Sequence, residues 1–280
     1  MLPSGPTAMP FLSARRHVQP AAVIIGAPYD ATATHRRGAR AAPAAIRWAS
    51  DSIETYSPIQ RRDLEDVRLA DAGDLNLEGC SPEEMIARVR EAVAAAQALP
   101  LLLGGEHTVA VGAVAALAER HQDLAVVLLD AHLDLRDEYE GQRWSHATTI
   151  RRIADLVGMQ RVAVLGARAG TREEWARAAS LAAATRGVAL ASDAWARLAG
   201  LPLYLSVDID GFDPAIAPGI GNPEPLGLSA DDFIALLGVL SQGRVVGCDL
   251  VEVSPPHDPS GRTAVFAAWL IREMVLAFAR

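Results

Sequence analysis

Ala125-Val126-Val127-Leu128-Leu129-Asp130-Ala131-His132-Leu133-Asp134 is an apolar run of five that passes straight into three ligand-type side chains in strict alternation. A short, uninterrupted apolar run bounded by polar residues predicts a strand buried on both faces, as in a parallel sheet covered by helices. In an extended segment alternate side chains share a face, so Asp130, His132 and Asp134 point the same way if the strand geometry carries on. A lone Asp or His after a strand is usually a cap or turn residue. Three in alternation make a comb suited to a metal ion.

The pattern recurs along the chain. Leu203-Tyr204-Leu205-Ser206-Val207 enters Asp208-Ile209-Asp210; Leu99 to Leu103 breaks at Gly104-Gly105-Glu106-His107; Arg244 to Val253 carries Glu252 near its end. Further strands are predicted at Ala22 to Ile25, Val67 to Ala70, Arg161 to Leu165 and Val188 to Ala191. Between them lie helices. Ser81 caps one, with Pro82 at its first position, Glu84 closing a capping box and Met85, Ile86, Val89 and Val93 as its apolar stripe. Others are expected from Pro43 to Ala49, from Thr108 as cap through Arg120, from His146 to Gly158, from Thr171 to just before Gly187, from Asp193 to Leu198, from Ser229 to Ser241 and from Thr263 to Phe278. Asp71 and Asp74 read as turn and cap residues.

About eight strands alternating with helices indicate a parallel sheet covered on both faces. A doubly wound open sheet and an eight-fold barrel both fit, and both place a site at the carboxyl ends of the strands. There His107, Asp130, His132, Asp134, Asp208, Asp210 and Glu252 fall, from four separate strands. At 280 residues, half of them hydrophobic, the chain can bury a full core; residues 1–19, rich in proline, read as a flexible lead-in and 20–280 as one domain. The net charge of -8, with no basic block, argues against nucleic acid or an anionic membrane as partner. All 26 positive residues are arginine, which excludes Schiff-base, pyridoxal-phosphate and P-loop chemistry, since each needs a lysine. Cys80 and Cys248 form no CxxC pair and read as buried thiols in a reducing, cytoplasmic setting, without a thiolate metal site. No stretch approaches the length of a membrane span.

Four aspartates and two histidines are too many ligands for one small cation but suit two ions bridged by shared carboxylates. Oxygen-rich ligation with two imidazoles and no thiolate leans toward manganese. Two ions about 4 Å apart can hold a water and lower its pKa, which makes the reaction class metal-assisted hydrolysis.

Gly104-Gly105-Glu106-His107, Asp130-Ala131-His132-Leu133-Asp134, Ser206-Val207-Asp208-Ile209-Asp210-Gly211-Phe212-Asp213-Pro214 and Val251-Glu252-Val253-Ser254-Pro255 resemble the four signature blocks of the ureohydrolases, the arginase and agmatinase family. Gly26-Ala27-Pro28-Tyr29-Asp30 resembles the family's first strand and loop. The resemblance implies an arginase-like three-layer α/β/α sandwich with an eight-stranded, mainly parallel sheet. It also implies that Asp130 and Asp208 bridge two Mn2+ ions, with His107 and Asp134 completing one shell and His132 and Asp210 the other. Hydroxide, oriented by Asp134, then attacks a guanidinium carbon held by the Glu252 carboxylate, whose two oxygens match the planar N–H fork. His146 matches the family's proton shuttle to the departing amine. The family's homo-oligomers are trimers or hexamers.

The substrate is read from the loop Leu135 to Ser145, which has no Asn or Thr, whereas arginases hold the amino-acid head with an Asn and hydroxyl-rich loop. Its acids Asp137, Glu138 and Glu140 suit a cationic tail, and the loop looks most like the agmatinase branch, giving a small cationic guanidino substrate. Alternatives are N1-aminopropylagmatine, arginine or, if Arg136 or Arg143 points inward, guanidinobutyrate or formimidoylglutamate. A zinc-dependent acetylpolyamine deacetylase of the same fold would usually carry a paired His-His, absent here. An inactive metal-binding homologue is the non-enzymatic alternative. Leu226 replaces a glycine in the family's usual Pro-Glu-Pro-Gly-Gly.

Overall fold

In the apolar run Ala125–Leu129, alternate residues enter two different cores. Val126 and Leu128 pack with one set of helices, and Ala125, Val127 and Leu129 with the other. A strand with both faces buried sits in a sheet covered on both sides. The computed structural model, which describes residues 9–189 and 192–279, shows that arrangement.

The strands of the large sheet are β1 (Ala22–Ala27), β4 (Leu69–Asp74), β5 (Leu99–Gly104), β6 (Ala125–Leu129), β7 (Val162–Leu165), β8 (Ala183–Thr185), β9 (Pro202–Asp208) and β10 (Arg244–Val251). Two-residue strands β2 (Tyr56–Ser57) and β3 (Arg62–Asp63) form a separate hairpin. The sheet order is β4-β1-β5-β10-β9-β6-β7-β8, and the pairs are parallel. The ends β4 and β8 are separate edges, so the sheet is open rather than a barrel. Helices α2 (Pro82–Ala95), α3 (Val109–Arg120) and α4 (Thr149–Val157) cover one face; α1 (Ala42–Ser50), α7 (Ala230–Leu240) and α8 (Arg262–Phe278) cover the other. Shorter helices are α5 (Arg172–Ala178) and α6 (Ser192–Leu198).

The order places β5, β10, β9 and β6 side by side at the centre. The chain leaves β6 for β7 on one side and the neighbouring β9 for β10 on the other, and in open α/β sheets the crevice at such a switch receives the ligand. The local signals explain three of the helix starts: capping boxes at Ser81 with Glu84, Thr171 with Glu174 and Ser229 with Asp232 are all formed. Thr108 stands at the start of α3 but makes no side-chain capping bond. Cys80 and Cys248 are free and buried. Among the described residues no helix is long and apolar enough to cross a membrane.

Two expectations need correction. The helix after Thr171 stops at Ala178, and the strand expected at Val188 to Ala191 is replaced by Ala183–Thr185; Leu190 and Ala191 lie outside the described residues. The alanine-rich stretch carries helix propensity, but the open edge of β7 offers parallel partners at Ala163, Val164 and Leu165, and the ladder wins. Asp71 and Asp74 lie within β4 rather than in a turn. Their partner is Arg47 of α1, buried to 2% exposure, which donates to both oxygens of Asp71 at 2.8 and 2.9 Å and to Asp74 at 2.5 Å. The non-catalytic reading of these acids therefore holds through an ion pair. Replacing Arg47 by methionine strands the buried Asp71 carboxylate. The Arg47→Met variant is expected to lose about 3 kcal/mol in urea unfolding; an unchanged midpoint would show that the cluster is dispensable.

Candidate metal centre

Each predicted ligand reaches the centre of the sheet by a different local device. After β5 the chain passes so close to the Tyr29 carbonyl that a Cβ on Gly105 would lie 1.9 Å from its oxygen. Only glycine fits there. The Gly105 N–H donates to the Ala27 carbonyl, and its own carbonyl accepts from the Glu252 N–H. His107 is thereby set beside the end of β10, where its N–H donates to Glu252 Oε1 at 2.7 Å.

The combs do not persist as extended strand. β6 stops at Leu129, and Asp134 has a left-handed backbone, φ 43°. Glu252 is also left-handed, φ 64°. Such a conformation costs a non-glycine residue about 1 kcal/mol or more and survives where surroundings over-determine it. Asp208 ends β9, and Asp210 sits in a 3-10 turn, Ile209–Gly211, which the Asp208 side chain caps. Main-chain donors aim the carboxylates: His132 N–H to Asp130 Oδ1 at 2.6 Å, Ala131 N–H to Asp210 Oδ1 at 3.1 Å and Asp210 N–H to Asp208 Oδ1 at 2.9 Å.

The result brings all six expected ligands together. His107 Nδ1 lies 3.1 Å from Asp130 Oδ2, 3.3 Å from Asp208 Oδ2 and 3.6 Å from Asp134 Oδ2. His132 Nδ1 lies 2.9 Å from Asp210 Oδ2 and 3.7 Å from Asp130 Oδ1. Asp130 thus turns one oxygen to each histidine. Two overlapping groups, His107 with Asp130 and Asp134, and Asp130 with His132 and Asp210, have donor atoms within 4.8 Å of one another. Each could hold a cation, and Asp130 belongs to both.

The electrostatics ask for positive charge. Burial, then the charges of Asp210 and Asp134, push the Asp130 carboxyl up to about 7. Burial and Glu106 push Glu252 up to about 8. Burial lowers the imidazole pKa values, but the surrounding carboxylates override it, raising His107 well above its ordinary value and His132 to about 11. His107 Nδ1 and Asp130 Oδ2 are buried with no hydrogen-bond partner although 3.1 Å apart. Divalent cations ligated by this donor set would answer both demands.

A cavity of about 560 Å³ opens over the cluster, walled by His132, Asp134, Asp208, Asp210, Glu252 and His146. His146 opens a 3-10 turn, His146–Thr148, ahead of α4. Its N–H donates to Thr32 Oγ1, which donates in turn to the buried Glu106 carboxylate at 2.6 Å. Neither Thr32 nor Glu106 was expected at the site from sequence. Nor was Arg168, whose guanidinium donates to the carbonyls of Asp210, Gly211 and Phe212 and to those of Glu224 and Pro225, tying the aspartate turn to the cavity rim. On that rim Leu226 is left-handed, φ 63°, the conformation for which the family's glycine is suited.

The loop acids behave otherwise than expected. Asp137, Glu138 and Glu140 are exposed and lie outside the cavity wall. Asp137 accepts from Arg177 of α5 at 2.8 Å and stands near Arg151 and Arg152 of α4. Glu140 and Gly141 form a left-handed turn tip closed by mutual Tyr139 and Gln142 main-chain bonds. Arg143 turns to Asp155 and the Trp144 ring on the outside. Arg136 does line the cavity, lying over the Tyr139 ring and bonded at 3.4 Å to the buried Glu174. The sequence could not rank Asp137 and Arg136, because their partners Arg177 and Glu174 lie 40 and 38 positions away.

A model of the arginase family matches residues 20–277. The agmatinase of Bacillus cereus is 39% identical over 266 residues, covering 92% of both chains. The human mitochondrial guanidino acid hydrolase is 35% identical over 274 residues, 91% of this chain and 78% of that one. The crystal structure of the agmatine ureohydrolase of Thermoplasma volcanium superposes with a TM-score of 0.86 at 33% identity, covering 97% of this chain and 94% of that chain.

Asp130 is the one carboxylate that faces both histidines, so its loss should be felt by both groups. Asp130→Asn is expected to bind little manganese in equilibrium dialysis under conditions that load the unaltered chain; full retention would rule out a shared role.

Proposed function

The chain belongs to the arginase family, and from that premise we propose that it is a binuclear manganese hydrolase that cleaves the guanidino group of agmatine, or of a related guanidino-polyamine, to urea and an amine. The observation that carries the metal reading is Asp130, buried and aimed by one oxygen at His107 and by the other at His132. Asp130 and Asp208 would be shared between the ions, His107 and Asp134 would serve one, and His132 and Asp210 the other. When bound, such a pair supplies a water of lowered pKa as nucleophile at neutral pH.

The protein's own groups do the rest. Glu252, fixed at the cavity wall by its left-handed backbone and by the His107 N–H, accepts the planar guanidinium N–H fork and presents its carbon to the cluster. Asp134 accepts a hydrogen bond from the attacking water and orients it. As the new C–O bond forms and the C–N bond to the departing amine breaks, that nitrogen takes a proton. His146 lines the same cavity as Glu252 and can hold that proton at an imidazole nitrogen. Tyr139 meets its ring edge-on at 5.8 Å, and Thr32 anchors its main chain.

Agmatine is supported as substrate by the agmatinase relatives and by the cavity's acids, with Glu224 at the rim and Glu174 in the wall. The longer aminopropylagmatine tail would not meet Asp137, which is engaged by Arg177. A second reading, a carboxylate-tailed guanidino acid, has one observation in its favour: Arg136 is in the cavity wall. Glu174 and the Tyr139 ring already occupy part of that guanidinium, which favours agmatine. A cytoplasmic homo-oligomer, trimeric or hexameric, completes the proposal on the family resemblance.

Urea release with manganese supplied, measured across agmatine, N1-aminopropylagmatine, arginine and guanidinobutyrate, is expected to be fastest with agmatine. Preference for guanidinobutyrate would favour the second reading, whereas a single zinc per chain with acetylpolyamine turnover would overturn both. His146→Ala is expected to slow turnover on the order of 10²-fold or more while keeping its manganese. Wild-type turnover in that variant would remove the proton-transfer role.

A further inference from the structure

Tyr204, Ser206 and Asp249 take no part in the reaction as described, yet they form a chain that ends on His107. Tyr204 Oη donates to Asp249 Oδ2 at 2.6 Å, and Ser206 Oγ donates to Asp249 Oδ1 at 2.7 Å. Ser206 Oγ also lies 3.0 Å from His107 Nε2. All four residues are shut off from solvent. Asp249 sits in mid-strand on β10, opposite Leu102 on one side and Ser206 on the other. A buried carboxylate there is expensive, and an apolar residue would serve packing better.

The hydrogen count shows what the chain does. A serine hydroxyl has one hydrogen, and Ser206 spends it on Asp249, so it offers His107 only a lone pair. His107 must then be the donor, through Nε2–H. In the neutral imidazole, the form that ligates a cation, that leaves Nδ1 bare, facing Asp130, Asp134 and Asp208 at 3.1 to 3.6 Å without a hydrogen-bond partner. A bare nitrogen among carboxylate oxygens is repulsive unless a cation lies between them, and it is then a good ligand.

We propose that Asp249, acting through Ser206, is a positioning residue that holds His107 in the Nε2–H tautomer and so completes one of the two cation sites, with Tyr204 steadying Asp249. The proposal rests on the two-ion reading above. His132 has no such support: its side chain is 26% exposed, and among the described residues nothing hydrogen-bonds its Nε2. The effect is therefore confined to the His107 side. Outer partners of this kind typically change metal affinity about 10–100-fold.

The test uses the full chain loaded with manganese and dialysed against graded chelator, with metal counted per chain and the thermal midpoint of the metal-free protein measured in parallel. In Asp249→Asn the amide can donate to Ser206, freeing the hydroxyl hydrogen for His107 Nε2 and favouring the tautomer with a proton on Nδ1. The unaltered chain is expected to keep two ions. Asp249→Asn should keep one, releasing the other at about 10–100-fold lower chelator, with the metal-free midpoint unchanged. Ser206→Ala should shift the same ion by less, and it carries the test alone if Asp249→Asn does not fold. Two ions held with unaltered affinity in both variants would overturn the proposal. So would loss of both ions together with a lowered metal-free midpoint, which is the signature of a merely structural role. Fewer than two ions on the unaltered chain would overturn the two-ion reading itself.

Discussion

The carboxylates at the centre of this sheet cannot share their space without positive charge between them. Asp130, Asp208 and Asp210 are buried, and Asp130 is pushed up to about 7 by burial and by its own neighbours. Much of the surrounding architecture answers that repulsion. Main-chain N–H groups aim individual oxygens, Arg168 threads its guanidinium through the carbonyls beneath the aspartate turn, and two imidazoles are drawn toward the proton-bearing state. A divalent cation would answer such a field, because one ion offsets two charges in the space of one atom.

The sheet order explains how one chain gathers these groups. β5, β10, β9 and β6 are neighbours in space although β5 and β10 are far apart in sequence. Each contributes from its carboxyl end, where the strand gives way to a turn and the backbone is free to bend. The bends are not idle. Asp134 and Glu252 are held in left-handed conformations, both line the cavity, and both belong to the proposed machinery.

The reading of the loop after the first comb shows where linear inference stops. Its three acids were reasonable partners for a cationic tail by charge alone. In the folded chain Asp137 is taken by Arg177, and Glu140 rides a turn tip outside the cavity, while Arg136 stands in the wall against Glu174. A charged residue on a loop is placed by whichever opposite charge the tertiary structure brings near. The arginines of α4 and α5 hold Asp137 outside the cavity wall. Asp249 is the reverse case, since an acid in the middle of an otherwise apolar strand was a visible signal, but its meaning depended on Ser206 and His107 lying beside it.

By itself the sequence determined the fold class, most strand and helix positions and the six ligand-type residues that gather at the candidate metal centre. These follow from short-range rules: apolar runs of strand length, capping boxes and ligand-type side chains at strand ends. The residue pattern left an open sheet and a barrel both standing, and the resemblance to the ureohydrolases pointed to the open sheet, which the structure shows. Only the tertiary structure decided that β8 forms at Ala183–Thr185, that Asp71 and Asp74 serve Arg47, and which loop charges face the cavity. The physical reason is common to these three. Strand pairing and ion pairing join groups tens to hundreds of residues apart, and their free energy depends on distances that no local pattern of side chains encodes.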